Sequence, residues 1–334
     1  MDKPLFYVGL DVHQNMTAYA VRAHTGEVVN SGECATRFED IYKALEPQLF
    51  SVRIGLESCT SYYHVYQAFK KQGYDIQVAN TLRIRQLVAK SDKLDAERLS
   101  DMLRLGSFPT SHVPDEKIMK LRTLVNLRHS FVEESTRFKN QIQSALMKYG
   151  FKIYERTSFS KRWCAQLRSL MALHPELIEL RYGFEHYGII EHKLETLDAE
   201  INAYCNVHWK KQMELLDSIP GIGSTLAAYL IAQVHPITRF ASKKKLRRYA
   251  GIIPCSRESG GHVYGSSLPK TSSRTKLRWA LVQASWAAVR GKNRLAAYFN
   301  KKRKTRKKNR AIVAVASSLC DIVYNVLTTQ KSYS

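Results

Sequence analysis

The chain has 334 residues and a formal net charge of +23, because 52 lysines and arginines face only 29 acidic residues. This length is enough for two or three folded cores. The N-terminal sequence MDKPLFYVGLDV lacks the apolar core of a signal peptide, and we find no apolar run long enough to span a membrane. The six cysteines are scattered without a C-x-x-C pair, which argues against a zinc site or a disulfide framework. We therefore expect a soluble protein of a reducing, intracellular compartment.

The positive charge is concentrated in the later part of the chain. Residues 1–115 contain 13 basic and 14 acidic side chains, whereas the remaining 219 residues contain 39 basic and 15 acidic ones. A nearly neutral N-terminal region followed by a strongly basic region predicts a catalytic or regulatory unit joined to a unit that binds a polyanion. Nucleic acid fits this pattern better than a membrane surface does.

The first hundred residues alternate between strand and helix signals. Residues 5–31 predict two or three strands, of which the first is apolar and ends at Asp11. A helix over 38–47, a strand at VRIGLES, a helix in SYYHVYQAFKKQGY, a strand at DIQVAN and a helix from Leu82 to about Leu105 follow. This order predicts an α/β domain built on a sheet.

The middle of the chain has the spacing of long helices. Apolar residues recur at heptad-like intervals in 117–149 and again from Leu194 to Tyr204, which predicts an antiparallel or intermolecular coiled coil. Arg128 and Ser135 interrupt the first apolar seam. From about Leu215 a mainly helical region follows, beginning with a helix, a tight turn and a second helix, and ending with an apolar helix over 311–328.

Four acidic residues could converge at one edge of the predicted sheet. Asp11 and Glu57 lie at strand ends, and Asp92 and Asp95 are three residues apart on a predicted helix, hence on one face. Such carboxylates repel one another unless a cation lies between them, and Mg²⁺ prefers oxygen ligands. The structural alternatives are a turn residue after a strand and an ordinary solvated helix face.

Several features predict contact with a phosphate backbone. The Ile219–Gly223 segment resembles the hairpin of a helix-hairpin-helix element, in which Gly221 and Gly223 let the backbone approach a phosphate. Two basic clusters and two further cations, Lys270 and Arg278, extend this set. The clusters are Lys243, Lys244, Lys245, Arg247 and Arg248, then Lys301, Lys302, Arg303, Lys304, Arg306, Lys307, Lys308 and Arg310. A plain helix–helix turn and a solvated linker are the alternatives.

One serine is a candidate nucleophile. Ser259 precedes Gly260 and Gly261 in a segment that is predicted to be a loop, so the backbone beside it is conformationally free. A serine hydroxyl needs a base or a metal-bound group to take its proton. By local sequence alone a turn residue is the commoner interpretation, and His262 is a conceivable proton acceptor.

The ordered set of short motifs is more specific than any one of them. VGLDVH, GLES, KSDKLDA, SIPGIG, RFASKKKLRRYAGIIP and ESGG resemble, in this order, the DEDD transposases of the insertion-sequence family numbered one hundred and ten, which includes Piv-type DNA invertases. The resemblance implies a RuvC-like (RNase H-type) domain at 1–110, a helical coiled-coil region at 111–208 and a mainly helical transposase domain at 209–334. It places the DEDD tetrad on Asp11, Glu57, Asp92 and Asp95, and the catalytic serine on Ser259.

The resemblance also implies a mechanism and partners. The serine would attack DNA to form a phosphoserine intermediate while the tetrad binds Mg²⁺. In the transposase branch a structured bridge RNA pairs with donor and target DNA, and serine and tetrad come from different protomers of a tetramer. The protein would be cytoplasmic in a prokaryote and associated with the nucleoid. Three alternatives stay open: an invertase without guide RNA, a RuvC-like metal-dependent nuclease, and an inactive nucleic-acid-binding protein.

Overall fold

The structure is a computed structural model that describes residues 5–81, 83–84, 95–259, 262–269 and 275–333. The chain divides into two compact units, residues 1–114 and 115–334. The first unit has equal numbers of basic and acidic residues, 13 of each, so the second unit carries the whole net charge of +23.

The first unit is built on a six-stranded mixed sheet. Its strands are β1 (Phe6–Val12), β2 (Met16–Ala23), β3 (Val28–Ala35), β4 (Val52–Glu57), β5 (Asp75–Ala79) and β6 (Thr110–Ser111). The order across the sheet is β3-β2-β1-β4-β5-β6, with β4 parallel to both β1 and β5 and the other pairs antiparallel. Three described helices accompany it: α1 (Phe38–Leu45), α2 (Tyr62–Lys71) and α3 (Asp95–Arg104). This arrangement confirms the predicted α/β domain and fits a RuvC-like fold.

Strand alternation separates the two faces of the sheet. Val8 and Leu10 of β1 pack in one buried cluster with Ile54 and Leu56 of β4, because side chains two residues apart in a strand share a face. Gly9 lies on the opposite face, where α3 covers the sheet. A Cβ atom on Gly9 would lie 2.0 Å from the Ala96 carbonyl oxygen. The helix backbone therefore lies directly on β1, and only glycine leaves the room.

The second unit begins with a long antiparallel helix pair. Helix α4 (Glu116–Lys148) and helix α6 (Ile178–Asp217) pack side by side, with α5 (Lys161–Leu173) between them in sequence. At one end Lys148 pairs with Glu179 at 3.2 Å, and at the other the Tyr204 hydroxyl donates to the Lys117 carbonyl at 3.3 Å. Of the two predicted arrangements, the structure shows an antiparallel pair within one chain.

The polar residues in the apolar seam are contacts of this pair. Arg128 makes a two-pronged ion pair with Asp198, in which Nη2 donates to Oδ2 at 2.9 Å. The buried Ser135 hydroxyl donates to Glu191 Oε1 at 2.6 Å. These two residues do interrupt the apolar seam, and each is partnered by a polar residue of the facing helix. Polar pairs at seam positions fix the register of two helices.

The remainder of the second unit packs around a common apolar core. Its helices are α7 (Ser224–Val234), α8 (Lys243–Tyr249), α9 (Thr275–Ala288), α10 (Arg294–Arg303) and α11 (Lys308–Thr329). A two-stranded antiparallel hairpin, β7 (Cys255–Ser259) and β8 (His262–Ser267), interrupts them. The predicted boundary at 208–209 falls within α6, at Trp209, whose backbone departs from helical angles (φ −141°, ψ 34°). The three-part division of the chain stays a prediction.

Helix α11 begins earlier than predicted and is more apolar than expected. It starts at Lys308 rather than at residue 311, so the end of the basic run is helical. Its length and composition would allow it to cross a membrane, contrary to the expectation that no segment qualifies. Its apolar face is nevertheless buried in the unit, through residues such as Ile312, Val315 and Leu319.

Candidate functional site

Two of the predicted carboxylates lie side by side at the carboxyl ends of parallel strands. Leu10 of β1 and Leu56 of β4 are register partners, and Asp11 and Glu57 are the next residues of the two strands. They therefore emerge on one face of the sheet, the face that carries Gly9. Asp11 is not the last residue of its strand as predicted: it is paired with Ala18 of β2, and β1 ends at Val12.

The third predicted carboxylate lies at the start of the helix that packs on Gly9. Asp95 is the first residue of α3, and the next residue, Ala96, lies against Gly9. Asp95 also forms an ion pair with Arg98 at 3.8 Å, one turn further along α3. Asp92, the remaining member of the predicted tetrad, lies outside the described residues. Within the described part of the chain, no three histidine, cysteine, aspartate or glutamate side chains are grouped as a metal site.

The structure adds a histidine that the sequence interpretation did not assign. His13 Nε2 lies 3.1 Å from Asp11 Oδ2; 70% of the His13 side chain is exposed, against 16% for Asp11. His13 follows β1 directly, and its position two residues after Asp11 is the signal in the sequence that could have identified this neighbour. Asp11 is thus a shielded carboxylate with an exposed hydrogen-bonding partner.

The segment after β4 is held to β1 by a thiol. The Cys59 Sγ donates to the Val12 carbonyl at 2.9 Å. Burial raises the pKa of Cys59, so the thiol stays protonated at neutral pH and can donate. Nearby, the Ser58 and Thr81 hydroxyls are 2.7 Å apart. These contacts fix the chain directly after Glu57.

The predicted nucleophile lies in the second unit and at the end of a strand. Ser259 is the last residue of β7 and the register partner of His262 in β8. The prediction of an irregular loop is therefore wrong for the residues on either side of the turn, which pair as a hairpin. Gly260 and Gly261 lie outside the described residues, as does Lys270. The pairing of β7 with β8 shifts in register between Arg257 and Glu258.

The two glycines of the predicted phosphate-binding turn have different surroundings. Gly221 has a positive φ of +88°, and a Cβ atom there would lie 2.2 Å from the Ala284 carbonyl oxygen of α9. Close packing against α9 is therefore a sufficient reason for glycine at position 221, without any phosphate contact. Gly223 is exposed, has no atom within 4 Å of its Cβ position, and immediately precedes α7. Of the two, Gly223 has the open backbone that a phosphate contact requires.

Two of the predicted phosphate ligands are engaged within the fold. Arg247 lies 3.2 Å from Asp321 and its Nη1 contacts the Ser317 hydroxyl at 3.5 Å. Arg278 Nη1 donates to the carbonyl oxygens of Gly251 and Pro269, at 3.2 and 2.9 Å. Arg278 thereby anchors the chain before and after the hairpin. The other cations of the basic clusters are mostly exposed at the ends of α8, α10 and α11.

Comparison with known proteins gives a consistent family. A family model described as "Transposase IS116/IS110/IS902 family" matches residues 213–300, and a DEDD transposase model of the IS110 group, described as "Transposase", matches residues 8–151. The second match contains Asp11, Glu57, Asp92 and Asp95, and the first contains Ser259. Together the two matches cover more than half of the chain.

Relatives of two kinds are similar to the chain. It is 26% identical over 291 residues to "Putative transposase y4qE" of Sinorhizobium fredii, covering 84% of this chain and 71% of the relative. It is 24% identical over 305 residues to "Transposase for insertion sequence element IS1111A" of Coxiella burnetii, covering 85% and 80%. It is also 28% identical over 131 residues to "Pilin gene-inverting protein" of Moraxella bovis, covering 39% and 41%.

The sheet, the order of the acidic motifs along it and the two family matches agree with one another. The chain belongs to the IS110 family of DEDD transposases, enzymes that cleave and rejoin DNA.

Proposed function

We propose that this transposase cuts and rejoins the DNA of an insertion sequence through a phosphoserine intermediate at Ser259. The observation that carries the proposal is the placement of Asp11 and Glu57 on neighbouring parallel strands, with Asp95 at the start of the helix that packs on Gly9. Carboxylates on adjacent parallel strands supply oxygen ligands for a divalent cation at one edge of the sheet, an arrangement suited to phosphoryl transfer.

The donor set fits a divalent cation. Asp11, Glu57, Asp92 and Asp95 would supply only carboxylate oxygens, which are the ligands that Mg²⁺ prefers. When bound, Mg²⁺ would offset the repulsion among the carboxylates and stabilise negative charge on the phosphate under attack. His13, at 3.1 Å from Asp11, would hold one carboxylate oxygen in place.

The serine step is balanced without a further reactant. The Ser259 Oγ forms a bond to phosphorus, the bond from phosphorus to one deoxyribose oxygen breaks, and that oxygen takes up a proton. The proton leaves the serine hydroxyl through a base or solvent. In the reverse sense, a hydroxyl of another DNA end attacks the serine ester, releasing the serine and joining the strands.

The partners follow from charge and from the division of the site. The second unit carries a net charge of +23, which favours binding of donor and target DNA and of a structured guide RNA. As the family resemblance implies, a homo-oligomer would complete each site with the tetrad of one protomer and Ser259 of another. The setting would be the cytoplasm of a prokaryote, at the nucleoid.

Adduct formation on a denaturing gel tests the proposal. Purified protein, with RNA expressed from the flanking DNA, would be incubated with labelled nicked DNA in Mg²⁺. We expect a protein–DNA adduct that is lost in Ser259→Ala and in Asp11→Asn. The matched controls are Ser256→Ala, three residues earlier in β7, and Asp75→Asn, an acid paired with Arg53 at the start of β5. Free cleaved DNA that persists in Ser259→Ala would instead identify a metal-dependent nuclease.

A second candidate, a DNA invertase acting without RNA, is favoured by the similarity to the pilin gene-inverting protein of Moraxella bovis. The same assay distinguishes the two. An adduct that forms at full yield after ribonuclease treatment indicates an invertase, whereas dependence on the RNA indicates a guided transposase.

A further inference from the structure

A large groove runs along α11 beside the base of the β7–β8 hairpin. Its volume is about 1020 Å³, and its walls include Arg247 of α8, Tyr298 of α10 and Leu268, which directly follows β8. This volume is at the upper end of the range for small-ligand sites, roughly 300–1,000 Å³. We call this feature the α11 groove.

One face of α11 forms the floor of the groove. Arg310, Ala314, Ser317 and Asp321 line it at helical spacing, while the opposite face is buried in the core. From Arg310 to Asp321 the helix extends about 16 Å, at ~1.5 Å per residue. The small side chains in the middle of this face leave an elongated channel.

The two ends of the groove differ in charge. At the start of α11, Arg306 and Arg310 are exposed and belong to a run with no acidic residue in the first turn of the helix. At the other end lies the Asp321–Arg247 pair, 3.2 Å apart, with 26% and 30% of the two side chains exposed. Asp321 Oδ1 and Arg247 Nε make no hydrogen bond, because the geometry between them is that of an ion pair only.

This difference in charge between the two ends of the groove matches a nucleotide whose phosphate lies at the arginine end and whose base points along the groove. Arginines at the entrance would bind phosphate. At the far end the Asp321–Arg247 pair has no net charge, so phosphate is favoured at the arginine entrance, while the Asp321 carboxylate can accept hydrogen bonds from exocyclic amino groups of bases. The Tyr298 ring offers a surface for stacking, which is the usual means of holding unpaired bases in a basic groove. A duplex hides its base edges in its own grooves and would contact only the arginine end.

We propose that the α11 groove binds a short unpaired segment of nucleic acid, with phosphates on Arg306 and Arg310 and bases directed toward Asp321. The inference rests on the proposed function in one respect, that the substrate is nucleic acid. It assigns to this surface a preference for single strands, DNA or RNA, next to the hairpin that carries Ser259.

Fluorescence anisotropy with the full chain tests the preference. The probes are a labelled 12-nucleotide DNA strand, an RNA strand of the same sequence, and the DNA duplex of the same length. The variant is Ala314→Phe, which fills the channel without changing charge. The matched control is Ala297→Phe, at an exposed position of α10 away from the groove. We expect Ala314→Phe to raise the Kd for one or both single strands about tenfold and the Kd for the duplex less than twofold, and Ala297→Phe to change neither.

Tight single-strand binding that is unchanged in Ala314→Phe would overturn the proposal, as would an equal loss for strand and duplex. If Ala314→Phe does not fold, the unmodified protein provides the answer through photo-crosslinking. A strand containing 4-thiothymidine or 4-thiouridine should crosslink to the groove walls, within residues 298–321, 247–254 or 267–268; crosslinks confined to other segments would contradict the assignment.

Charge at the entrance offers a second comparison. Arg310→Ala should weaken single-strand binding about fivefold, whereas Arg290→Ala, an exposed arginine outside the groove, should leave it within twofold. Failure of the groove proposal is distinguishable from failure of the proposed function. The phosphoserine adduct depends on Ser259 and is scored on a denaturing gel, whereas groove binding is measured at equilibrium without cleavage.

Discussion

Glycine at position 9 determines how closely α3 approaches the sheet. Any larger residue would place its Cβ atom 2.0 Å from the Ala96 carbonyl oxygen and 2.7 Å from the Ser100 backbone nitrogen. Both are main-chain atoms of a helix, so they cannot move aside as a flexible side chain would. The position of α3, which begins at Asp95, therefore depends on the absence of one methyl group at Gly9.

We expect Gly9→Ala to destabilise the first unit by about 2 kcal/mol or more, since overpacking in a close contact typically costs 1–3 kcal/mol. The change should also abolish adduct formation by displacing α3. Urea denaturation and the adduct gel measure the two effects. Gly188→Ala is the control: this glycine of α6 has no atom within 4 Å of its Cβ position, so alanine should leave stability unchanged or raise it slightly. Equal behaviour of the two variants would contradict the packing argument.

We expect the buried Tyr229 phenol to make stability depend on pH in the alkaline range. Burial raises the pKa of Tyr229 to about 12, and its hydroxyl donates to the Val125 carbonyl at 2.6 Å. The folded state favours the neutral phenol, so the stabilisation is complete below the unfolded pKa of about 10 and is lost as pH rises toward 12.

Tyr229→Phe should remove this dependence. Between pH 9 and pH 11.5 the wild-type free energy of unfolding should fall by about 2 kcal/mol more than that of the variant. Urea denaturation of both proteins at the two pH values, in the presence of a reductant, gives the difference. Parallel curves would show that Tyr229 titrates normally in the folded protein.

At the scale of elements, the α4–α6 pair is fixed in register by polar contacts. Arg128 and Asp198 form a two-pronged pair whose side chains are 17% and 31% exposed, and Ser135 contacts Glu191. Apolar side chains in a seam tolerate sliding by a heptad, whereas these pairs are satisfied in only one register. The antiparallel helices α4 and α6 thus pack in one register and support the core of the second unit.

Removing the arginine should be costly because it leaves the partly buried Asp198 without its partner. We expect Arg128→Ala to lower the free energy of unfolding of the second unit by about 2 kcal/mol. Arg137→Ala, which removes a solvent-exposed contact with Glu134 on the same helix, should cost less than about 0.5 kcal/mol. Thermal unfolding monitored by circular dichroism compares the two variants, and similar losses would argue against a special role for the Arg128 pair.

For the whole molecule, the separation of charge between the units has a measurable consequence. The second unit carries the entire net charge, and its basic run extends over the exposed turn between α10 and α11. Each lysine or arginine that contacts a phosphate releases counterions, so affinity for DNA should fall steeply with salt.

Replacing Lys301, Lys304 and Lys307 with glutamine should reduce the slope of log K against log salt by about 2–3, close to one per lost contact. The matched control replaces Lys43, Lys70 and Lys71, three exposed lysines of the first unit, and should leave the slope unchanged. Anisotropy titrations of a DNA duplex at several salt concentrations give the slopes. Equal slopes in both variants would indicate that the charge acts only through the net field.

The sequence by itself determined the parts that depend on local pattern. Strand alternation and helical spacing predicted the α/β domain and the long helices, and the ordered motifs predicted the family, whereas the assignment of its catalytic residues stays a prediction. Local patterns suffice here because side chains must alternate in a strand and recur every three or four residues in a helix.

Only the tertiary structure decided which residues distant in sequence are in contact. It placed α3 on Gly9, partnered Arg128 and Ser135 across the helix pair, engaged Arg278 with two carbonyls and opened a groove along α11. None of these contacts joins residues that are neighbours in the chain, and a residue type does not reveal whether its partner is a phosphate or another part of the fold. Close packing and charge pairing are properties of the assembled units, and they determine which glycines and arginines remain available for nucleic acid.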